Sequence, residues 1–186
     1  MGKTSVAQEL RDSLASLGYG VCVVDDGVRL FAPVLSKLFG AWYRAPRELI
    51  EYMLLGWQVA SFVKCLDSDV VIMDYGPEAP LGYMDADGVP YPRELENLAL
   101  ALFKGLRLLV AILEPPTTYR RDDVRWEDLE LANRYRRYLS IRALTLVSKA
   151  RAKAVIIPER SSVAERARML LRVVLNELVE GAKGVD

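Results

Sequence analysis

The chain has no histidine among its 186 residues. This removes the commonest acid–base side chain and excludes any histidine-based triad. Cysteine is almost as scarce. Cys22 and Cys65 lie in separate apolar stretches without CxxC spacing, which argues against a metal site and predicts buried free thiols in a reducing cytoplasm. No apolar run reaches the roughly 18 residues of a bilayer span; the longest uncharged stretch is Tyr52 to Val63. Net charge is missing too, since 25 basic residues offset 25 acidic ones. No global field therefore draws the chain to nucleic acid or to an anionic membrane, and recognition of anions must come from a local cluster. Asn and Gln are few and arginine leads the basic set, a composition that leans toward thermophilic proteins.

What is present is apolar residue, 52% of the chain, enough for a full core in one domain spanning 1–186. From Lys3 to Leu17, Val6, Leu10, Leu14 and Leu17 share one helical face. A glycine-flanked turn leads to Val21–Val24, a short β-branched strand closed by Asp25, Asp26 and Gly27. Helical spacing returns over Leu30–Phe39 and Pro46–Lys64, then "VVIMD" predicts a second strand ending at Asp74. The segment "GPEAPLGYMDADGVPYP" is so rich in Gly, Pro and Asp that it predicts a long loop. A helix from Arg93 to about Lys104, a strand in "LRLLVAIL", a long helix to about Arg151, a strand at Ala154–Ile157 and a helix over Val163–Leu178 complete the chain. Apolar strands alternating with helices predict a doubly wound α/β fold, a parallel sheet between two helical layers. In such sheets ligands bind at the carboxyl ends of the strands, a rule that gathers Asp25, Asp26, Asp74 and Glu114 on one edge.

The residues Gly2, Lys3, Thr4 and Ser5 spell the end of a phosphate-binding loop, G-x-x-x-x-G-K-[ST], at the start of a helix that returns to a buried strand. In that setting the amides of Gly2 to Ser5 cradle phosphate at the positive end of the helix dipole, Lys3 reaches the β- and γ-phosphates, and the Thr4 hydroxyl holds Mg²⁺. Asp74, after four apolar residues, has the place of a second Mg²⁺ contact. Arg120, Arg121 and Arg125 crowd a segment at about 115–128 that reads as a lid, where guanidinium groups offset charge on a transferring phosphoryl group. Asp25 or Asp26 could take the proton of an acceptor hydroxyl or bind a ribose; an Asp-Asp-Gly turn is the plainer alternative.

With these pieces in place, the sequence resembles the P-loop nucleoside and nucleotide kinases. It is most similar to the AAA-type ATP-binding family that includes the ribosylnicotinamide kinase domain of NadR, and more distantly to thymidylate kinases. "GKTS", "VVDDGVR", "GWQ", "VVIMDYG" and "YRRDDVRWED" carry the likeness. The resemblance implies a P-loop NTPase fold with sheet order 2-3-1-4-5, ATP with Mg²⁺, and a small phosphoryl acceptor between Asp25, Asp26 and the loop after Asp74. Thymidylate kinases carry arginine after the third-strand aspartate; here the residue is Tyr75.

The family's first strand and the opening glycine of its loop have no counterpart in the sequence. That strand is the central one, so the expectation is about 10–15 further residues upstream, a strand length plus the front of the loop. The chain by itself is expected to bind ATP weakly, or to pair its open edges in a homodimer. The function that follows is an ATP-dependent kinase acting on a small nucleoside- or nucleotide-like hydroxyl, with a nucleotide-binding switch or a non-catalytic P-loop domain as the rivals.

Overall fold

The computed structural model describes residues 3–103, 106–114, 127–159 and 162–182. In chain order these form α1 (Lys3–Ser16), β1 (Val21–Val24), α2 (Val28–Phe39), α3 (Arg47–Lys64), β2 (Val70–Met73), α4 (Ala79–Ala86), α5 (Arg93–Ala101), β3 (Leu109–Leu113), α6 (Leu129–Ala150), β4 (Lys153–Ile157) and α7 (Val163–Ala182). A single 3₁₀ turn, Trp42–Arg44, joins α2 to α3.

Both strand pairs are parallel. β1 pairs with β2 in the register Val21 to Val70 through Val24 to Met73, and β3 pairs with β4 from Leu109 opposite Lys153 to Leu113 opposite Ile157. Among the described residues no ladder joins the two pairs. They are the pairings implied for either side of a central strand in the order 2-3-1-4-5. Side chains, not backbone bonds, connect them. Val6, Leu10 and Leu14 of α1 pack with Ala167 and Leu170 of α7 and with Ile157, and against this cluster lie Val21, Val70 and Ile72 from one pair and Ala111, Leu113 and Val155 from the other. A strand in a two-stranded ladder has only one bonded neighbour, and the strands are accordingly less buried than expected. Only Val24 and Ile157 are fully buried, and Ile156 is 63% exposed.

Alternation of side chains turns Cys22 to the face opposite Val21, toward the end of α3. There it forms a disulfide with Cys65. The free thiols expected from the sequence are thus paired: a 43-residue separation in sequence hides a close approach that only the packing of α3 on β1 creates.

The predicted loop after β2 is likewise corrected. Its middle folds as α4, a helix whose Ala79, Pro80, Leu81, Gly82, Met84 and Ala86 are buried. Proline is accommodated in the first turn, where its missing N–H has no bond to lose. Gly82 lets α6 come close: a Cβ there would lie 3.1–3.2 Å from Leu139 side chain and backbone. The residues that signal a loop in isolation serve here to build a tightly packed helix. α5 ends at Ala101, short of the predicted Lys104, which lies outside the described residues.

Candidate functional site

A cavity of about 360 Å³ opens where α1 begins and β1 and β2 end. Its floor at one end is Lys3, Thr4 and Ser5 in the first turn of α1, where unpaired amides and the helix dipole favour an anion. Gly2 lies outside the described residues. Lys3 places its ammonium 3.6 Å from the centroid of the Tyr75 ring and hydrogen-bonds the Tyr75 hydroxyl. The Thr4 hydroxyl donates to Asp74 Oδ2, and Asp74 Oδ1 is buried without a protein partner. Asp74 is fixed from behind because its amide donates to the Val24 carbonyl at 2.9 Å, one step past the β1–β2 ladder.

The two aspartates after β1 separate in the structure. Asp26 lines the cavity and accepts from the Val28 amide at 3.2 Å. Burial pushes its pKa up, with a further push from the Asp74 charge, against which the Val28 amide and Lys3 pull down. Asp25 is exposed and turned away from the cavity, toward the Gly27 amide and Trp57 Nε1, both at 3.3 Å. Gly27 makes this turn possible. Its φ is 71°, and a Cβ there would fall 2.5 Å from the Trp57 ring. Adjacent carboxylates in a sequence carry no sign of which one faces the site; the turn decides it.

Beyond Asp74 the cavity continues between α3, α4 and α6. Arg47 binds Asp87 through Nε at 2.7 Å, Glu51 through Nη1 at 3.1 Å and the Tyr135 hydroxyl through Nη2 at 2.7 Å. Burial would lower the Arg47 pKa, but the Glu51 charge and its other partners outweigh it and raise it. One guanidinium faces two carboxylates. Burial therefore pushes Glu51, 1% exposed, up to about 8 despite the Arg47 charge. Tyr83 stands between this network and Tyr75: its ring meets Tyr135 edge-on at 5.0 Å and its hydroxyl lies 3.3 Å from that of Tyr75. None of Arg47, Glu51 or Tyr135 announces itself in the sequence, where polar residues at helical spacing read as a solvated face. Gln58, in the "GWQ" motif, is a second buried polar residue on α3, spaced i, i+7 from Glu51.

Arg120, Arg121 and Arg125 lie outside the described residues. Glu127, just after them, lines the cavity, and Asp128 caps α6 by accepting from the Leu131 amide at 2.8 Å.

The constellation of a Lys-Thr-Ser helix start, a strand-end aspartate bonded to that threonine, and parallel strands between helices is that of a P-loop domain. A family model described as AAA domain matches residues 1–166. The chain belongs to the AAA-domain family. No curated protein matches it. The AAA domain is a P-loop NTPase-type, nucleotide-binding α/β fold, and P-loop domains generally bind nucleotide with Mg²⁺. The residues fit the ion. Thr4 Oγ1 and the unpartnered Asp74 Oδ1 are hard oxygen donors at the phosphate end, and Mg²⁺ takes few protein ligands because it keeps waters and substrate phosphates. The described residues hold no cluster of three or more His, Cys, Asp or Glu able to bind a metal by themselves. No helix among the described residues is long and apolar enough to cross a membrane.

A further buried carboxyl lies outside the cavity lining. Glu78, four residues past Asp74, has Oε2 buried without a partner, and burial pushes its carboxyl from 4.5 to about 7. The folded state therefore holds a proton that the unfolded chain releases near pH 4.5. The stabilisation is full below that pH and is lost as the pH rises through 7; Glu51 acts in the same sense. Melting temperature is expected to fall from pH 5 to pH 8, and Glu78→Gln, which keeps the neutral shape, is expected to flatten that slope.

Proposed function

We propose that this AAA domain is an ATP-dependent phosphotransferase that acts on a small hydroxyl-bearing, nucleoside-like acceptor. The observation that supports it is the shape of the cavity. The cavity runs past Asp74, beyond the phosphate end at α1, into a polar end between α3, α4 and α6, room that suits a second small molecule beside the nucleotide. Lys3 and the α1 amides would hold the β- and γ-phosphates, and Thr4 and Asp74 would hold Mg²⁺, whose role when bound is to neutralise charge on the phosphates. Asp26 would accept the proton of the acceptor hydroxyl as its oxygen bonds to the γ-phosphorus and the bond to the β–γ bridging oxygen breaks, releasing ADP. The lid arginines Arg120, Arg121 and Arg125 would meet the charge on the moving phosphoryl group. Of the kinases that the sequence resembles, the ribosylnicotinamide type suits the site better than thymidylate kinases, because Tyr75 stands where the latter have arginine.

The test is product analysis with ATP, Mg²⁺ and a panel of nucleosides and nucleoside monophosphates. ADP and a phosphorylated acceptor are expected in equal amounts, and Asp74→Asn is expected to slow their formation by about 10²-fold or more. ADP released at the same slow rate with and without every acceptor would instead favour the nucleotide switch.

A further inference from the structure

The walled end of the cavity contains polar atoms that the protein leaves unsatisfied. Glu51 and Gln58 are 1% and 2% exposed, lie on one face of α3 and both line the cavity. Glu51 Oε1 is taken by Arg47, but Oε2 has no partner; Gln58 Nε2 donates to the Tyr75 carbonyl at 3.4 Å, but Oε1 has no partner. Trp42 Nε1, also lining the cavity, is a buried donor without an acceptor. A buried polar atom that nothing meets is costly, so three at this end of the cavity describe the negative image of a ligand. That ligand brings an N–H or O–H group to Gln58, a polar partner to Glu51 and an acceptor to Trp42. The Tyr83 and Tyr135 rings on the wall favour a flat one. The guanidinium nitrogens of Arg47 bond Asp87, Glu51 and Tyr135, which holds the Glu51 carboxyl in place at this end of the cavity.

We infer that this end of the cavity reads the polar edge of the acceptor's base, with Gln58 Oε1 accepting from a base N–H and the Glu51 carboxyl meeting a neighbouring polar atom. This inference rests on the kinase reading for the fate of the ligand, but its test does not need turnover. Binding is measured by calorimetry without ATP for adenosine, guanosine, cytidine and uridine, for their 5′-monophosphates, for N-methylated bases that lack an edge N–H, and for ribose. At least one nucleoside or its monophosphate is expected to bind, and its N-methylated form at least 10-fold more weakly. Gln58→Leu is expected to weaken the parent nucleoside at least 10-fold, to leave the N-methylated analogue unchanged, and to leave ATP–Mg²⁺ binding unchanged, which also reports that the variant folds. Should Gln58→Leu not fold, the comparison of parent and methylated ligands on the natural chain decides alone. Equal binding of the N-methylated form, equal binding of ribose, or no binding by any nucleoside or monophosphate overturns the inference. Nucleoside binding without phosphorylated product would leave it standing and overturn the kinase reading.

Discussion

Lys3→Ala is expected to lower the rate of acceptor phosphorylation by about 10²–10³-fold, the usual loss when one preorganised charge is removed from a transferring group. Lys3 is exposed in the first turn of α1, and its contacts in the structure are the ring and hydroxyl of Tyr75. Nothing in the core depends on it, so the melting temperature without nucleotide should hardly change. The increase in melting temperature caused by ATP and Mg²⁺ should shrink. Lys3→Arg keeps the charge but spreads it over a planar fork on a different stem, and it is expected to restore only part of the rate. An unchanged rate in Lys3→Ala would remove the phosphate-binding role of α1 and with it the kinase.

The second large effect concerns stability. The Cys22–Cys65 disulfide closes a segment of 43 residues that contains all of α2 and α3. Releasing that constraint should cost about 4 kcal/mol by the loop-entropy relation, which for a domain of this size is a drop in melting temperature of about 8–16 °C. Melting curves with and without dithiothreitol measure it. The Cys22→Ala/Cys65→Ala variant should melt low in both conditions, and a natural chain whose curve ignores the reductant would mean that the two sulfurs are not bonded. Because β1 leads into Asp26 and α3 carries the walled end of the cavity, reduction should also loosen the spacing between Asp26 and Gln58.

Much of the architecture was legible because it depends on local periodicity. The four strands are short apolar runs, and the structure places β1 at the predicted Val21–Val24 and β2 one residue short of Asp74. α1, α3 and α7 follow their apolar spacing to within a few residues. The grouping of Lys3, Thr4 and Asp74 at one end of the cavity was legible for a related reason: they stand at fixed offsets from a helix start and a strand end. α4 was not, because Gly82 and Pro80 signal a turn unless the neighbouring Leu139 is known to need the room. The far end of the cavity was not legible either. Glu51 and Gln58 are ordinary helix residues in sequence; what distinguishes them is that α4 and α6 close over α3, and burial by distant elements leaves no mark on the residues buried. The disulfide belongs with them, since its partners meet across a sheet face.

The two ends of the cavity are built by different helices. Lys3, Thr4 and Ser5 of α1 line one end, whereas α3 presents Arg47, Glu51, Leu54 and Gln58 as one rigid comb toward the other. A handful of exchanges along that comb could therefore retune which small molecule the far chamber admits while leaving the first turn of α1 untouched.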